Sequence, residues 1–271
     1  MLARRHLLVA GLAASVAAPA LAQRIRSLKD PLRLAVDVSL ADSGLAAALQ
    51  KAFGGDTGVA VQLTPGPAIP LLDALERGEF DAALTNAPEA ELKLDRQGLV
   101  HDRQAVATGG FAIVGPAPKN RKQPDPAGLV SAQGLLDALS RIKDQALAAP
   151  GTISFLAVND GSGLHASEQA LWRLAKIAPQ APWYTTVASQ TALIEQARAT
   201  GAYALVERGV WARRGAAPLR ALIEDDAALA EPVHVMRSFR VNHPAAKIFV
   251  QWITGPKGRR VVAGVRGYRA P

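Results

Sequence analysis

The chain has 271 residues, a formal net charge of +8 and no cysteine. The lack of cysteine excludes a disulfide framework, so the fold must rest on a hydrophobic core, which a chain of this length can build. The basic residues are scattered and no aromatic residues interleave with them, a pattern that argues against nucleic-acid binding. The net charge favours anionic ligands or surfaces.

Residues 1–22 have the features of a secretory signal peptide. Arg4 and Arg5 form a basic start, residues 7–18 are almost wholly apolar but too short to span a bilayer, and Ala20-Leu21-Ala22 is a small-x-small cleavage pattern. The general export route is favoured, with a twin-arginine route and a retained membrane anchor as alternatives. Cleavage takes 22 of the 271 residues and two arginines, which leaves 249 residues with a formal charge of +6.

The first part of the mature chain predicts a β-α-β-α-β unit. Three short apolar runs are typical of strands, and two runs with apolar residues at helical spacing separate them. The predicted strands are 34–38, 59–63 and 80–85, and the predicted helices are 70–77 and the run that carries Leu45, Leu49, Ala52 and Phe53. Such a unit forms a parallel sheet whose ligand crevice lies at the carboxyl ends of the strands.

A second α/β unit follows. Residues 111–114 predict a strand that Gly115 and Pro116 break, and the basic, proline-rich residues 118–127 predict an exposed connection. The remaining predicted strands are 153–158, 202–206 and 233–236, and the remaining helices are 132–148, 164–177, 189–200 and a last one that carries Ile248, Phe249, Trp252 and Ile253.

Two strand-to-helix turns carry small polar residues. One is residues 39–44, and the other is Asn159-Asp160-Gly161-Ser162-Gly163-Leu164-His165. The first N–H groups of a helix have no partner within it and lie at the positive end of the helix dipole, so each turn suits an anion or a polar ligand group. We expect the two turns to form two walls of one cleft.

A series of short motifs runs through nearly the whole mature chain. The motifs are Asp42-Ser43-Gly44-Leu45, Phe111-x-Ile113-Val114-Gly115-Pro116, Asp160-x-Ser162-Gly163-x-His165, Pro182-Trp183-Tyr184, Gly201-Ala202-Tyr203, Glu207-Arg208-Gly209 and Asn242-x-Pro244. In their order and spacing, the chain resembles the periplasmic tungstate-binding proteins of ABC uptake systems.

The resemblance implies an α/β protein with the two-lobe, type II periplasmic binding protein fold, each lobe a mostly parallel sheet flanked by helices. On that pattern, residues 32–113 with 233–271 form lobe 1, and residues 114–232 form lobe 2. It implies an exported monomer that closes on a small solute, by default a tungstate- or molybdate-type oxyanion, and delivers the solute to an ABC permease in the inner membrane. We expect no enzyme activity, no cofactor and no bound metal.

Three segments depart from the family pattern. The family's run of hydroxyl residues that holds oxyanion oxygens is here Val36-Asp37-Val38-Ser39, and the arginine that would neutralise the oxyanion falls on Val158. The family's glycine- and threonine-containing loop is here Gly66-Pro67-Ala68-Ile69, where proline removes a donor. The lost arginine and the added carboxylate are each worth roughly 1–3 kcal/mol at a desolvated site. We therefore hypothesise that the ligand has shifted to a neutral, zwitterionic or cationic solute.

The candidate ligand-binding residues lie in the two turns, in the loop before the 70–77 helix and at the start of the 189–200 helix. The serines and threonine among them have a second interpretation, because such residues commonly cap helices. Asp37 lies in an apolar strand and must find a partner, which we expect to be water, an arginine across the cleft or a ligand amine. The candidates are Asp37, Ser39, Ser43, Ala68, Asn159, Ser162, His165, Ser189 and Thr191.

Other residues carry two interpretations each. Asp160 is expected to cap or brace its loop, His165 is either a ligand donor or structural, and His234 faces either the crevice or the core. The aromatic residues either pack between elements or line an apolar ligand wall, and Arg208 either braces the hinge or binds. The aromatic residues concerned are Trp183, Tyr184 and Trp211.

Further function classes stay open on residue types alone. A hydrolase would use Ser162 and His165 with Asp37 or Asp160, but Asp160-Gly161-Ser162-Gly163 lacks the nucleophile-elbow pattern. A metal site would use the same aspartates with His165 and His234, but the spacing typical of transition-metal motifs is absent. A ligand-sensing binding protein without a transport role is a further alternative.

Overall fold

The computed structural model describes residues 26–118, 124–214, 217–224 and 226–271. The predicted signal peptide, residues 1–22, and part of the predicted connection, residues 119–123, lie outside these ranges. Within them, every helix is too short or too polar to cross a bilayer.

The described ranges contain nine strands and ten α-helices. The strands are β1 (Leu32–Asp37), β2 (Val61–Gly66), β3 (Ala82–Thr85), β4 (Val100–Pro116), β5 (Phe155–Val158), β6 (Tyr184–Val187), β7 (Tyr203–Glu207), β8 (Leu219–Ile223) and β9 (Ala230–Ser238). The helices are α1 (Val38–Asp42), α2 (Leu45–Thr57), α3 (Ala68–Glu76), α4 (Pro88–Arg96), α5 (Leu135–Ala148), α6 (Gly163–Leu174), α7 (Gln190–Thr200), α8 (Arg208–Arg214), α9 (Pro244–Thr254) and α10 (Pro256–Ala263).

The first sheet, sheet A, has the strand order β2-β1-β3-β9-β4. Strand β1 pairs in parallel with β2 and β3, with Leu34 opposite Leu63 on one side and Ala82 on the other. The predicted β-α-β-α-β unit is therefore confirmed. Strand β9 returns from the end of the chain and pairs antiparallel with both β3 and the first part of β4.

The second sheet, sheet B, is built on the end of the same long strand β4. Residues 100–110 of β4 pair with β9, whereas residues 111–116 pair antiparallel with β7 and β8. Strand β5 then pairs in parallel with β7 and β6. A single strand thus passes from one sheet to the other, and β9 brings the chain back to sheet A.

We use lobe 1 for sheet A with α1–α4, α9 and α10, and lobe 2 for sheet B with α5–α8. Lobe 1 has two apolar cores, one on each face of its sheet: Leu34 belongs to the core around Phe53, and the next residue, Ala35, to the core around Leu72. This alternation is the period of a strand covered on both faces. Lobe 2 has a core of its own around Trp172. The predicted lobe limits at residues 113/114 and 232/233 stay a prediction.

Several elements differ from the sequence prediction. Residues 39–44 were expected to be a turn, but helix α1 occupies most of them, and a helix of five residues is too short to show a hydrophobic period. Strand β4 is far longer than the predicted 111–114, and one predicted final helix is two, because Gly255-Pro256 starts a new one. The short elements α4, β6, α8 and β8 were not predicted.

The segment after residue 123 is not the exposed connection that its composition predicts. Asp125 and Ala127 are both buried. The hydroxyl of Tyr203 donates to Asp125 Oδ2 at 2.8 Å and accepts from the N–H of Ala127 at 2.8 Å. A partner distant in sequence therefore buries polar groups that composition alone assigns to the surface.

Candidate functional site

The carboxylate of Asp37 lies at the end of β1, where it is fully buried between the two lobes. Its Oδ1 accepts from the N–H of Ser39 at 2.9 Å and from the Ser39 hydroxyl at 2.7 Å. Its Oδ2 accepts from the N–H of Ala68 at 3.0 Å and from the N–H of Gly163 at 3.0 Å. We call these four donors, from Ser39, Ala68 and Gly163, the anion seat.

Helix starts supply the donors of the seat. Ala68 is the first residue of α3 in lobe 1, and Gly163 is the first residue of α6 in lobe 2. Their N–H groups have no acceptor within their own helices and lie at the positive ends of the helix dipoles. Asp37 is in addition the N-cap of α1, which explains why the carboxylate turns toward Ser39.

The hydrogen-bond partners of the Asp37 carboxylate are main-chain N–H groups and the Ser39 hydroxyl, and not an arginine. Among the described residues, no arginine or lysine forms an ion pair with its carboxylate, so the structure does not show the arginine that was one of the three expected partners. Val158, where the family arginine was expected, is buried in the lobe 2 core. Burial raises the pKa of Asp37, and the hydrogen bonds from Gly163 and Ser39 oppose that rise.

Asn86, at the carboxyl end of β3, lines the seat from lobe 1. Its Nδ2 donates to Ser39 Oγ at 2.9 Å and also contacts Glu231 Oε1. Its Oδ1 is buried and has no hydrogen-bond partner among the described residues. A Cβ on Gly163 would fall 1.9 Å from that oxygen, so the start of α6 packs directly onto the amide.

Two buried carboxyls, Glu207 and Glu231, lie behind the seat. Glu207 accepts from the N–H groups of Gly209 at 2.9 Å and Val210 at 2.7 Å. Burial raises the pKa of both carboxyls, and the charge of Glu207 raises that of Glu231 further. This pair therefore retains a proton more readily than ordinary carboxyls do, and Glu231 Oε2 has no hydrogen-bond partner in the described part of the chain.

The lobes also meet outside the seat. The N–H of Ile69 donates to the carbonyl oxygen of Gly161 at 2.9 Å, and the exposed Arg173 pairs with Glu89 at 3.3 Å. Beside these contacts, α3, α4 and α6 enclose a small, mostly apolar cavity of about 170 Å³. The cavity is lined by Ile69, Ala87, Pro88, Glu89, Ala90, Ala166, Ser167 and Ala170.

The structure brings together three of the predicted residues, Asp37, Ser39 and Ala68, with the predicted turn at Gly163. Ser162 caps α6 by accepting from the N–H of His165 at 3.2 Å, and the N–H of Ser162 donates to Asp160. The predicted capping and bracing roles of Ser162 and Asp160 are therefore confirmed.

The other predicted residues lie around the seat or farther away. Ser43 is buried, and its Oγ is 2.9 Å from the hydroxyl of Tyr268, which donates to it. Ser189 is exposed and caps α7 by accepting from the N–H of Ala192 at 3.2 Å, with Thr191 in the first turn of that helix. Asn159 is exposed. Ligand contact by any of these residues stays a prediction.

The geometry does not assemble a hydrolase. His165 Nδ1 accepts from the N–H of Gly161 at 3.1 Å, so its imidazole is engaged with the main chain of its own turn. Ser162 and His165 are joined through the hydroxyl and a main-chain N–H and not through the imidazole. A nucleophile needs a base that accepts its proton, and this pair lacks one.

The geometry does not assemble the considered metal site either. His234 Nδ1 lies 2.7 Å from Glu91 Oε2 within lobe 1, next to Arg103, and not beside Asp37. In the described ranges, no three histidine, aspartate or glutamate side chains form a group that can hold a metal ion.

Of the two interpretations of the aromatic residues, the structure shows packing. Trp183 and Tyr184 pack edge-on against Trp172, and Tyr184 also stacks on Phe155, inside lobe 2. Trp211 packs against the same core, which confirms the packing interpretation of these residues. Arg208 packs by its stem near Gly110, where β4 passes between the sheets, and lies 3.8 Å from Glu224.

Sequence reasoning missed Asn86, Glu207 and Glu231 as parts of the site. Asn86 follows a predicted strand just as Ser39 follows another, so the rule of strand ends could have found it. Glu231 lies 145 residues from Asn86 in the chain, and no local pattern indicates their contact.

Comparison with known proteins gives the same fold. Residues 27–257 match the family model described as a PBP superfamily domain. The tungstate-binding protein TupA of Peptoclostridium acidaminophilum is 28% identical over 254 residues, which are 90% of this chain and 85% of that protein. The crystal structure of the tungstate ABC transporter from Geobacter sulfurreducens superposes with a TM-score of 0.74 at 26% identity, covering 87% of this chain and 98% of that one.

A second solved structure agrees. The tungstate-binding protein TupA from Desulfovibrio alaskensis G20 superposes with a TM-score of 0.71 at 25% identity, covering 89% of this chain and 99% of that one. The match of the family model spans most of the sequence, and both solved structures are covered almost completely. The chain therefore belongs to the PBP superfamily-domain family and has the type II periplasmic binding protein fold.

Proposed function

We propose that this chain is the solute-binding component of an ABC uptake system, exported to the periplasm by its N-terminal signal peptide. It works as a monomer, holds a small solute between its two lobes and delivers the solute to an inner-membrane permease. It is a binding protein and not an enzyme. The similarity to tungstate-binding proteins over most of the chain supports this role and supports an oxyanion as the solute class.

The observation that carries the proposal is the anion seat. Main-chain N–H groups from both lobes, those of Ala68 and Gly163, converge on one buried oxygen atom, Asp37 Oδ2. Convergent N–H groups at helix starts bind anions without any cationic side chain. Because an anion at this position bonds to both lobes, it binds more tightly when the lobes are closed. Binding therefore shifts the equilibrium of the protein toward its closed form.

A second candidate is a solute that is not an oxyanion. The observation in its favour is that a carboxylate of the protein already fills the seat and that a valine, Val158, stands where an arginine was expected. On this alternative, the solute occupies the apolar cavity beside the seat, between α3, α4 and α6.

The experiment is calorimetric titration of the mature protein, residues 23–271, with tungstate, molybdate, sulfate and phosphate. Saturable binding of one of these anions at micromolar concentration or below supports the oxyanion class and refutes the shifted ligand. Absence of binding for all four, together with a non-oxyanion solute released on denaturation and identified by mass spectrometry, supports the second candidate. Light scattering of the same sample tests the monomer.

We also propose that β4 and β9 form the hinge. Both strands run within sheet A and reach the point near Gly110 and Ala230 where the chain changes sheets. The predicted lobes, 32–113 with 233–271 and 114–232, divide the chain within a few residues of these positions. Hinges are short segments of this kind that absorb changes in backbone angles.

A further inference from the structure

We propose that Asp37 is the resident anion of the seat, so that its carboxylate holds the lobes together without a solute and competes with external oxyanions for the seat. This inference rests on the proposed function, because it concerns the same cleft and names the residue that sets its selectivity.

The first step of the argument is the position of Asp37 Oδ2. This one oxygen accepts an N–H from lobe 1, that of Ala68, and an N–H from lobe 2, that of Gly163, at 3.0 Å each. An oxygen of a bound oxyanion would make the same pair of contacts. Asp37 therefore bridges the lobes in the way that a ligand would.

The second step is the saturation of the carboxylate. A carboxylate offers about four lone-pair sites. The two bonds to Oδ2 and the two that Ser39 donates to Oδ1 use them all. No site is left for a ligand amine, so Asp37 acts as the occupant of the seat and not as a counter-ion for a solute.

The third step concerns Asn86, whose Oδ1 is fully buried against Gly163 without a hydrogen-bond partner in the described part of the chain. The amide forms the wall of the seat, yet it gives no polar attraction across the cleft. The exposed pair between Arg173 and Glu89 contributes little, because solvent screens it. Asp37 therefore supplies buried polar attraction between the lobes, alongside the bond from Ile69 to Gly161 and the side-chain bond between Tyr268 and Glu207.

The consequence is an internal competition. A group tethered within the same molecule acts at an effective concentration in the millimolar range or above. An external oxyanion must displace it, and its apparent affinity falls by the fraction of molecules whose seat is open. Removing the carboxylate is expected to raise oxyanion affinity by about tenfold or more.

The first test measures closure without any solute. Because the chain has no cysteine, Lys93→Cys on α4 and Leu174→Cys on α6, both exposed, accept two spin labels on facing helices. Asp37→Asn keeps the size of the side chain but replaces one oxygen by an NH2 group, which cannot accept the N–H bonds from Ala68 and, across the cleft, from Gly163. The label-to-label distance is expected to lengthen in Asp37→Asn and to stay unchanged in the control Asp144→Asn, an exposed charge on α5.

The second test measures entry into the seat. Asp37→Gly removes the carboxylate and retains a residue that is tolerated as an N-cap. We expect formate, acetate and tungstate to bind this variant about tenfold or more tightly than the wild type. We also expect formate to restore the short label-to-label distance, which a merely structural role of Asp37 would not produce. Circular dichroism of both variants checks that they fold.

The outcomes separate this inference from the proposed function. Micromolar tungstate binding by the wild type, with unchanged affinity and distance in the Asp37 variants, supports the oxyanion function and overturns the inference. Opening of Asp37→Asn with formate rescue of Asp37→Gly, but no oxyanion binding by the wild type, confirms the inference and removes the oxyanion assignment. An unchanged distance in Asp37→Asn overturns the inference whatever the protein binds.

Discussion

Gly163 packs so closely against Asn86 that a Cβ on the glycine would fall 1.9 Å from Asn86 Oδ1. Gly163 starts α6, and its backbone does not adopt the left-handed region that would require glycine. The need for glycine therefore comes from contact between the lobes and not from local conformation.

Gly163→Ala is expected to block closure and to leave each lobe intact. Asn86 cannot move aside easily, because it is fully buried and bonded to Ser39. An added methyl group in such a contact costs roughly 1–3 kcal/mol, so solute affinity is expected to fall about tenfold or more. The measurements are the distance between labels at residues 93 and 174 and the solute affinity. Gly55→Ala, at a helix glycine with open space around it, is the control. Unchanged closure in Gly163→Ala would contradict this account.

A second prediction concerns the buried ion pairs of Asp81 in lobe 1. Asp81 is fully buried and accepts from the side chains of Arg26 at 3.0 Å and Arg33 at 2.9 Å, as well as from the N–H of Arg33 at 2.8 Å. Removing one partner of a buried ion pair leaves the remaining charges without a partner. Asp81→Ala is therefore expected to lower the free energy of unfolding by about 3 kcal/mol. Urea denaturation measures this.

The matched control for Asp81 is Glu79, which pairs with Arg77 at 2.7 Å on the surface. Both side chains are more than half exposed, so Glu79→Ala is expected to cost less than about 1 kcal/mol. Equal losses in Asp81→Ala and Glu79→Ala would show that burial does not decide the contribution of these pairs.

Much of the fold and part of the site follow from local sequence patterns. The alternation of apolar runs predicts β1–β3 and the helices between them, because each element buries its own periodic face. The rule that ligands bind at the carboxyl ends of parallel strands predicts the meeting of the turns at Ser39 and Gly163.

The remaining features depend on contacts between distant parts of the chain. An acidic residue in a strand predicts that Asp37 finds a partner, but the choice of main-chain amides over an arginine depends on where α3 and α6 begin in space. The contact between Asn86 and Glu231 depends on the return of β9 to sheet A. Hydrophobic periodicity contains no information on either.

The third prediction concerns Glu168, a buried carboxyl of lobe 2. Burial raises the pKa of Glu168 from 4.5 to about 7, despite hydrogen bonds from Trp172 at 2.7 Å and Tyr184 at 2.9 Å. Because the folded state holds the proton more tightly, this stabilisation is fully present below pH 4.5 and is lost as the pH rises to about 7. The loss amounts to about 3 kcal/mol.

Glu168→Gln removes the titration and keeps an oxygen that accepts from Trp172 and Tyr184. Relative to the wild type, the variant is expected to gain stability between pH 4.5 and 8, measured by urea denaturation at both values. Glu195→Gln, an exposed residue of α7, is the control for the charge change. A constant difference between Glu168→Gln and the wild type at the two pH values would contradict the raised pKa.

The fourth prediction concerns the carboxyl pair behind the seat. Burial and the neighbouring charge of Glu207 hold the pKa of Glu231 well above its ordinary value of 4.5. The wild type therefore loses stability as the pH rises above 4.5 and Glu231 must give up its proton. Glu231→Gln keeps an oxygen for Asn86 and cannot ionise, so the side chain stays neutral at every pH.

Thermal unfolding at pH 5 and pH 8.5 measures this effect. At pH 5, where the wild-type pair keeps its proton, the two melting temperatures are expected to be close. At pH 8.5, Glu231→Gln is expected to melt at the higher temperature, because the wild type then buries two negative charges side by side. A variant that melts at a lower temperature than the wild type at pH 8.5 would contradict the raised pKa of Glu231.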